Sequence, residues 1–203
     1  MDDNALILIV VIAILIIMSA YFSATETAFS SLNKIKLKNL AVNGSKRAES
    51  TLNLAKKFDS ILSTILIGNN IVNIASASIA TIVFTKYYGD AGVTISTIVM
   101  TIVVLIFGEI SPKSLSKESP EKFAMFSTPI LKVLLIIFTP LNFVFGLWKK
   151  TISKVIKVEE IPIEVEEELL TIVEEAEIKG GIDEHESKLI RSAIEFNDLD
   201  ADQ

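Results

Sequence analysis

The stretch that decides the fold runs from Asn4 to Thr25, NALILIVVIAILIIMSAYFSAT, 22 residues without one charged side chain. A helix needs roughly 20 such residues to cross about 30 Å of hydrocarbon. Ser60 to Thr85 (26 residues) and Ala91 to Gly108 (18 residues) are also free of charge. Three such runs predict a multi-pass membrane protein. Acidic Asp2 and Asp3 precede the first run and no basic segment does, so it reads as a span and not as a cleavable leader.

Composition removes several classes. With no cysteine in 203 residues, disulfide frameworks, iron–sulfur clusters and cysteine zinc sites are excluded. The sequence holds no GxxxxGK[ST], HExxH or GxSxG pattern and no internal repeat, so an enzyme is not expected. Nor does anything in it call for a nucleic-acid partner. Charge is divided unevenly. Residues 1–157 carry 16 Lys/Arg and 9 Asp/Glu (+7), residues 158–203 carry 3 and 16 (−13), and together these give the net −6. A basic membrane domain (1–157) is therefore expected to precede an acidic helical extension (158–203), joined near Lys149–Lys157.

Positive charge also predicts orientation, because Lys and Arg near membrane ends stay on the cytoplasmic side. Lys34, Lys36, Lys38, Lys46, Arg47, Lys56 and Lys57 mark one cytoplasmic loop, and Lys113, Lys117 and Lys122 another. The expected topology is an N-terminus outside, spans at about 4–32, 60–86 and 91–117, a short external link at Lys86–Gly92, and a cytoplasmic C-terminus in the cell membrane. The loop 34–58 reads as a basic amphipathic helix pair on the inner leaflet, broken at Gly44. Phe123 to Trp148 is apolar enough to span, but lysines flank both ends, Lys132 interrupts it, and Pro129 and Thr139-Pro140 break it. A re-entrant pair of half-helices over about 120–150, with a turn near Pro140 and Lys132 snorkelling to the headgroups, is expected; the alternative is an ordinary fourth span with an external tail.

Polar groups at membrane depth need a partner or a task. In FSATETAFSSLN (22–33), Ser23, Glu26, Thr27 and Ser30 share one helical face. In GNNIVN (68–73), Asn69 and Asn73 share a face that Ser76 continues, whereas Asn70 points away as helix–helix glue. In FGEISPKSL (107–115), Glu109 stands between Gly108 and Pro112. Ser23 lies ten residues before Asn33 and Asn69 ten after Asp59, which places both roughly 15 Å deep; Glu109 lies roughly 12 Å from Lys117. Pro112 cannot donate to the carbonyl of Gly108, which leaves that carbonyl open beside a carboxylate. All these donors are oxygen, and the one histidine, His185, lies in the acidic extension. Oxygen sites suit Mg²⁺, Ca²⁺ or Mn²⁺, and Na⁺ also fits; Cu or Zn would favour His or Cys.

FSATETAFSSLN, LIGNNIVN and FGEISPKSL, in that order and spacing, resemble the transmembrane domain of the CNNM/CorC family of magnesium transporters. The likeness covers about residues 1–150. It implies an all-α homodimer in the lipid bilayer with three transmembrane helices, a juxtamembrane belt and a polar cavity open to the cytoplasm. It also implies a dehydrated Mg²⁺ held by Ser23, Asn69 with Asn73 close by, Gly108 and Glu109, with Pro112 as the kink and Na⁺ entry coupled to Mg²⁺ exit. Family members often have glycine where this chain has Ala24, and Glu26 recurs only in prokaryotic members. The family continues into a nucleotide-binding CBS-pair module, so Gln203 reads as a truncation before it, and ATP would act only through that module.

The extension fits a small cytosolic acidic helical bundle. Glu164 to Lys179 forms one helix with Leu169, Leu170, Ile172, Val173 and Ala176 inward. Gly180-Gly181 ends it, and Asp183 caps a second helix bearing Leu189, Ile190, Ala193, Ile194 and Phe196. Its carboxylates would repel one another unless cations screened them, which suggests a Mg²⁺ sensor. The expected activity is alternating-access Mg²⁺ transport. The alternative is a membrane Mg²⁺ sensor or scaffold that regulates other transporters and moves no ion itself.

Overall fold

The computed structural model describes residues 3–141, 165–178 and 181–195, and every element among them is helical. The chain divides into two compact units, Met1–Thr151 and Ile152–Gln203. Three helical spans are long and apolar enough to cross a membrane: Asn4–Ser30, Phe58–Tyr88 and Ala91–Glu118. Helices serve here because hydrocarbon offers the backbone no hydrogen bonds, so each segment must satisfy its own N–H and C=O groups.

In chain order the first unit comprises α1 (Asp3–Ser30), α2 (Lys34–Val42), α3 (Lys46–Ala55), α4 (Phe58–Tyr88), α5 (Ala91–Val103), a π-helical turn (Val104–Ile110), α6 (Ser111–Glu118) and α7 (Pro120–Ile137). The third span is thus three segments end to end. α1 packs lengthwise on α4 and also meets the π turn, α6 and α7. Phe22, Phe29, Ile61, Ile65, Val72 and Leu131 form the buried core. It sits at the basic end of the bundle, between α1, α4 and α7. Elsewhere Ile7, Ile17, Ile74, Ile82, Ile98 and Phe107 are exposed along the spans. Such a surface is unstable in water and natural in lipid.

The amphipathic pair is present and capped. Asn33 Oδ1 accepts from the Lys36 N–H and Ser45 Oγ from the Ala48 N–H. Leu37, Ala48, Thr51, Leu54 and Ala55 are buried, while Ile35 and Val42 are exposed. At the far end, α4 stops at Gly89, whose φ of +59 admits no ordinary side chain. Gly92 lets α5 turn back against α4: a Cβ there would lie 2.5 Å from the backbone of Phe84 and Thr85.

Residues 120–141 break near Pro140 as expected but depart from expectation at Pro129. Pro129 does not break α7 but is carried inside it, at the cost of a donor for the Met125 carbonyl. Contacts one and two residues before the proline hold the helix: Thr128 bonds Thr51 at 2.7 Å, and Ser127 accepts from Thr25 at 3.2 Å. The break falls at Phe138, and the chain is helical again from Thr139 to Leu141. Lys132 does not snorkel freely; its ammonium donates to Ser50 Oγ, pinning α7 to α3. The second half-helix of the re-entrant pair and the join at 149–157 lie outside the described residues.

The second unit contains α8 (Val165–Ile178) and α9 (Glu184–Glu195). The Gly181 N–H closes α8 on the Ala176 carbonyl. Asp183 and Glu186 form a reciprocal capping box on α9, with bonds of 2.7 and 3.0 Å. Val173 is buried, but Leu169, Ile172, Leu189 and Ile190 are exposed, and so is Ala193. The apolar stripe is wider than one partner helix can cover. Phe196 lies outside the described residues.

Candidate functional site

The polar residues of the three spans meet around a serine that the motif reading passes over. Ser19, fully buried on α1, donates to Asn69 Oδ1 on α4 at 2.9 Å. The same oxygen faces the Asn73 side-chain amide at 3.5 Å, one turn further along α4. Gly108 approaches from the third span so closely that a Cβ on it would lie 2.9 Å from Ser19 Oγ. Ser19, Asn69, Asn73 and Gly108 therefore form one cluster of three helices. Ser19 precedes Ser23 by four residues on the same face, and that spacing was the signal available in the sequence.

Asn69 is level with Ser19, so Ser23 lies one turn, roughly 6 Å, nearer the basic end. Counting depth from Asn33 and Asp59 gave equal levels because it took those residues as one boundary. α1 in fact ends at Ser30, and α2 and α3 intervene before α4 begins at Phe58. Ser23 is fully buried, and its Oγ has no hydrogen-bond partner; the Asn73 Oδ1 atom is likewise buried and unpartnered. Buried polar atoms are nearly always bonded, and an orphan costs on the order of 1–3 kcal/mol. Two of the three such orphans among the described residues lie beside this cluster; the third, Ser187 Oγ, is in the second unit.

Backbone geometry adds to it. Val104–Ile110 winds as a π-helix, and the Ser111 N–H bonds the Ile106 carbonyl five residues back. The kink expected at Pro112 is thus a register shift that begins two turns earlier. In α spacing Pro112 deprives the Gly108 carbonyl of its donor, and in π spacing that of Phe107. The shift leaves at least one carbonyl of this pair without a main-chain partner, beside Glu109. π turns are rare and are often found at functional sites.

The remaining candidates divide. Glu109 is half-buried and makes no hydrogen bond or ion pair with any described residue. Glu26 is engaged: Lys113 on α6 reaches it at 3.2 Å and ties α1 to the end of the third span. Thr27 is half-buried and Ser30 exposed. Asn70 is exposed and donates to the Leu66 carbonyl of its own helix at 2.9 Å, so it does not bridge helices as glue. Ser76 donates to the Asn73 carbonyl at 2.9 Å and continues the buried polar face.

Chemically the cluster itself is a set of neutral oxygens; the one free carboxylate, Glu109, follows Gly108 in the chain and makes no hydrogen bond to it. No group of three His, Cys, Asp or Glu able to hold a metal occurs among the described residues. One net charge suits weak, reversible capture of a hard cation better than permanent coordination, since hard cations take oxygen ligands and their affinity rises with ligand charge.

An all-helical bundle with three spans and a polar cluster at membrane depth defines a multi-pass membrane protein. The family model described as "Cyclin M transmembrane N-terminal domain" (CNNM) matches residues 10–186, and the chain belongs to that family. Relatives include a "UPF0053 protein" of Haemophilus influenzae, 39% identical over 186 residues (90% of this chain, 44% of the relative). The "UPF0053 inner membrane protein YfjD" of Escherichia coli is 35% identical over 188 residues (91% and 44%). A "Polyamine export protein" of Salmonella typhimurium is 24% identical over 203 residues (93% and 45%). The chain spans less than half the length of these curated relatives.

Proposed function

We propose that this chain is the membrane domain of a Mg²⁺ transporter and that the Ser19–Asn69–Asn73–Gly108 cluster, with Ser23 and Glu109, binds the ion in transit. The observation that carries the reading is the pair of buried, unpartnered oxygens, Ser23 Oγ and Asn73 Oδ1, flanking that cluster. Glu109 supplies the charge that offsets dehydration, and the amide and hydroxyl oxygens replace water without binding too tightly to let go. Asn69 Oδ1 is occupied by the Ser19 hydroxyl in this structure. Rotating that proton away releases both oxygens to a cation, so Ser19 sets whether the site is closed on itself or open to an ion. The N-terminus outside, homodimer assembly, Na⁺ coupling and nucleotide control through a following CBS-pair module belong to the same reading.

The test is flux in liposomes that contain only the full-length protein. Glu109→Ala and Asn69→Ala should each lower Mg²⁺ flux at least about tenfold while leaving folded, monodisperse protein, given that even an outer-shell partner of an ion ligand is worth roughly 10–100-fold. Wild-type flux in both variants rejects the site. Mg²⁺ binding with no flux in the unmodified protein supports the sensor alternative instead. The Salmonella relative's name favours a second reading, in which the cargo is an organic polycation. A lone carboxylate amid amide oxygens can also receive an ammonium group. Spermidine flux exceeding Mg²⁺ flux in the same vesicles selects it.

A further inference from the structure

Asn73 faces two ways. Beyond the cluster it enters a cleft of about 220 Å³ between α4 and α5, whose polar wall is Asn73, Thr81, Ser96, Thr97 and Thr101. Thr81 lies eight residues past Asn73 on α4, so the cleft leads roughly 12 Å from the cluster toward the far end. Its hydroxyl protons are spoken for. Thr81 reaches the Ala77 carbonyl at 2.9 Å, and Ser96 and Thr97 reach that of Val93 at 3.0 and 2.9 Å. Thr101 donates to Thr97 O at 2.7 Å, while Thr81 and Ser96 meet at 3.0 Å. Thr97 and Thr101 thus turn their protons toward their own helix and leave lone pairs for the cleft, while one of Thr81 and Ser96 gives its proton to the other and the pair still offers lone pairs. Ala77, Met100 and Val104 make the rest of the lining apolar, so the uncharged acceptors form a stripe along it, one that favours cations over anions. The volume holds about seven waters at roughly 30 Å³ each, enough for an ion that keeps much of its hydration.

We infer that this cleft is the far half of the ion's route, a hydrated cation vestibule that meets the dehydrating cluster at Asn73. The inference rests on the proposed transport function and assigns it a path. Because the chain has no cysteine, single Cys variants can be probed cleanly. In proteoliposomes of the full-length protein, Thr97→Cys and Thr101→Cys should react with a membrane-impermeant, positively charged methanethiosulfonate at least tenfold faster than lipid-facing Ile98→Cys. The reaction should occur from the side opposite the α2–α3 loop, and Mg²⁺ should slow it. Thr81→Val combined with Thr101→Val should lower Mg²⁺ flux about tenfold with Mg²⁺ affinity changed less than twofold. Labelling no faster than at Ile98, disulfide-linked dimers forming through these cysteines, or unchanged flux in the double variant overturns the vestibule. Failure of Asn69→Ala and Glu109→Ala to reduce flux would instead reject the transport site itself, so the two failures are distinguishable.

Discussion

Gly108 shows how a single missing methyl group can set a site. Its Cα comes so near α1 that an added Cβ would press on Ser19 Oγ at 2.9 Å, the atom that also holds Asn69. Gly108→Ala should lower Mg²⁺ flux about 10- to 100-fold, since overpacking costs on the order of 1–3 kcal/mol. Adding Ser19→Ala should recover part of the loss by removing the obstructing oxygen. Flux of Gly108→Ala equal to wild type, or no recovery in the double variant, would remove Ser19 from the site. Ser19 was readable as an extension of the Ser23 stripe, yet a serine inside MSAYF carries no local sign that Asn69 will stand opposite. Interhelical level depends on where α2 and α3 end, and no pattern within α1 encodes that. Asn69 and Asn73 were legible as members of the cluster because polar side chains are conspicuous in an apolar run. The pairing of Glu26 with Lys113 was not, since Lys34 stands far nearer to it in the chain.

Among the elements, hydrophobic length foretold the three spans, and the amphipathic pattern broken at Gly44 foretold the α2–α3 pair, though not its caps. The π turn escaped because it needs only one surplus residue and has no composition of its own. Pro129 misled because local rules treat proline as a stop, whereas Thr51 and Thr25 clamp α7 just ahead of it. The α4–α5 hairpin depends on Gly92, whose neighbours are backbone atoms that cannot move aside. Gly92→Ala should therefore lower the thermal midpoint in detergent by several degrees. Gly44→Ala, in open space but at φ +92, should lower it less, by the left-handed penalty of roughly 1–2 kcal/mol alone. Equal midpoints would show that the hairpin is not close-packed there. The belt has its own pH dependence. Burial raises the affinity of the Glu121 carboxyl for a proton, but Lys36 at 3.0 Å and nearby hydrogen bonds outweigh it and hold the group below its ordinary value. A depressed carboxyl contributes stability above its unfolded pKa and loses it as pH falls through the folded one. Acid unfolding should thus begin below about pH 4.5, and Glu121→Gln should flatten that limb of the curve.

At the scale of the molecule, the chain carries +7 in residues 1–157 and −13 in the rest, with positive charge gathered at one end of the bundle. The charge rule then predicts that cysteines placed in the loop 43–45 react only with reagents inside the cell, and cysteines at the N-terminus only with those outside. The reverse pattern would invert the topology. The wide turn at Val104–Ile110 has a larger consequence. A coil wound with spare backbone can be taken up like slack in a rope. Rewinding it to the tighter pitch would screw α6 by about 100° and shift it about 1.5 Å, carrying Lys113 off Glu26 and re-aiming Glu109. The third span would then turn a different face toward α1 through the twist of one short rod, without tilting the long helices at all. A cross-link between Glu26→Cys and Lys113→Cys should accordingly arrest turnover, and its reduction should restart it.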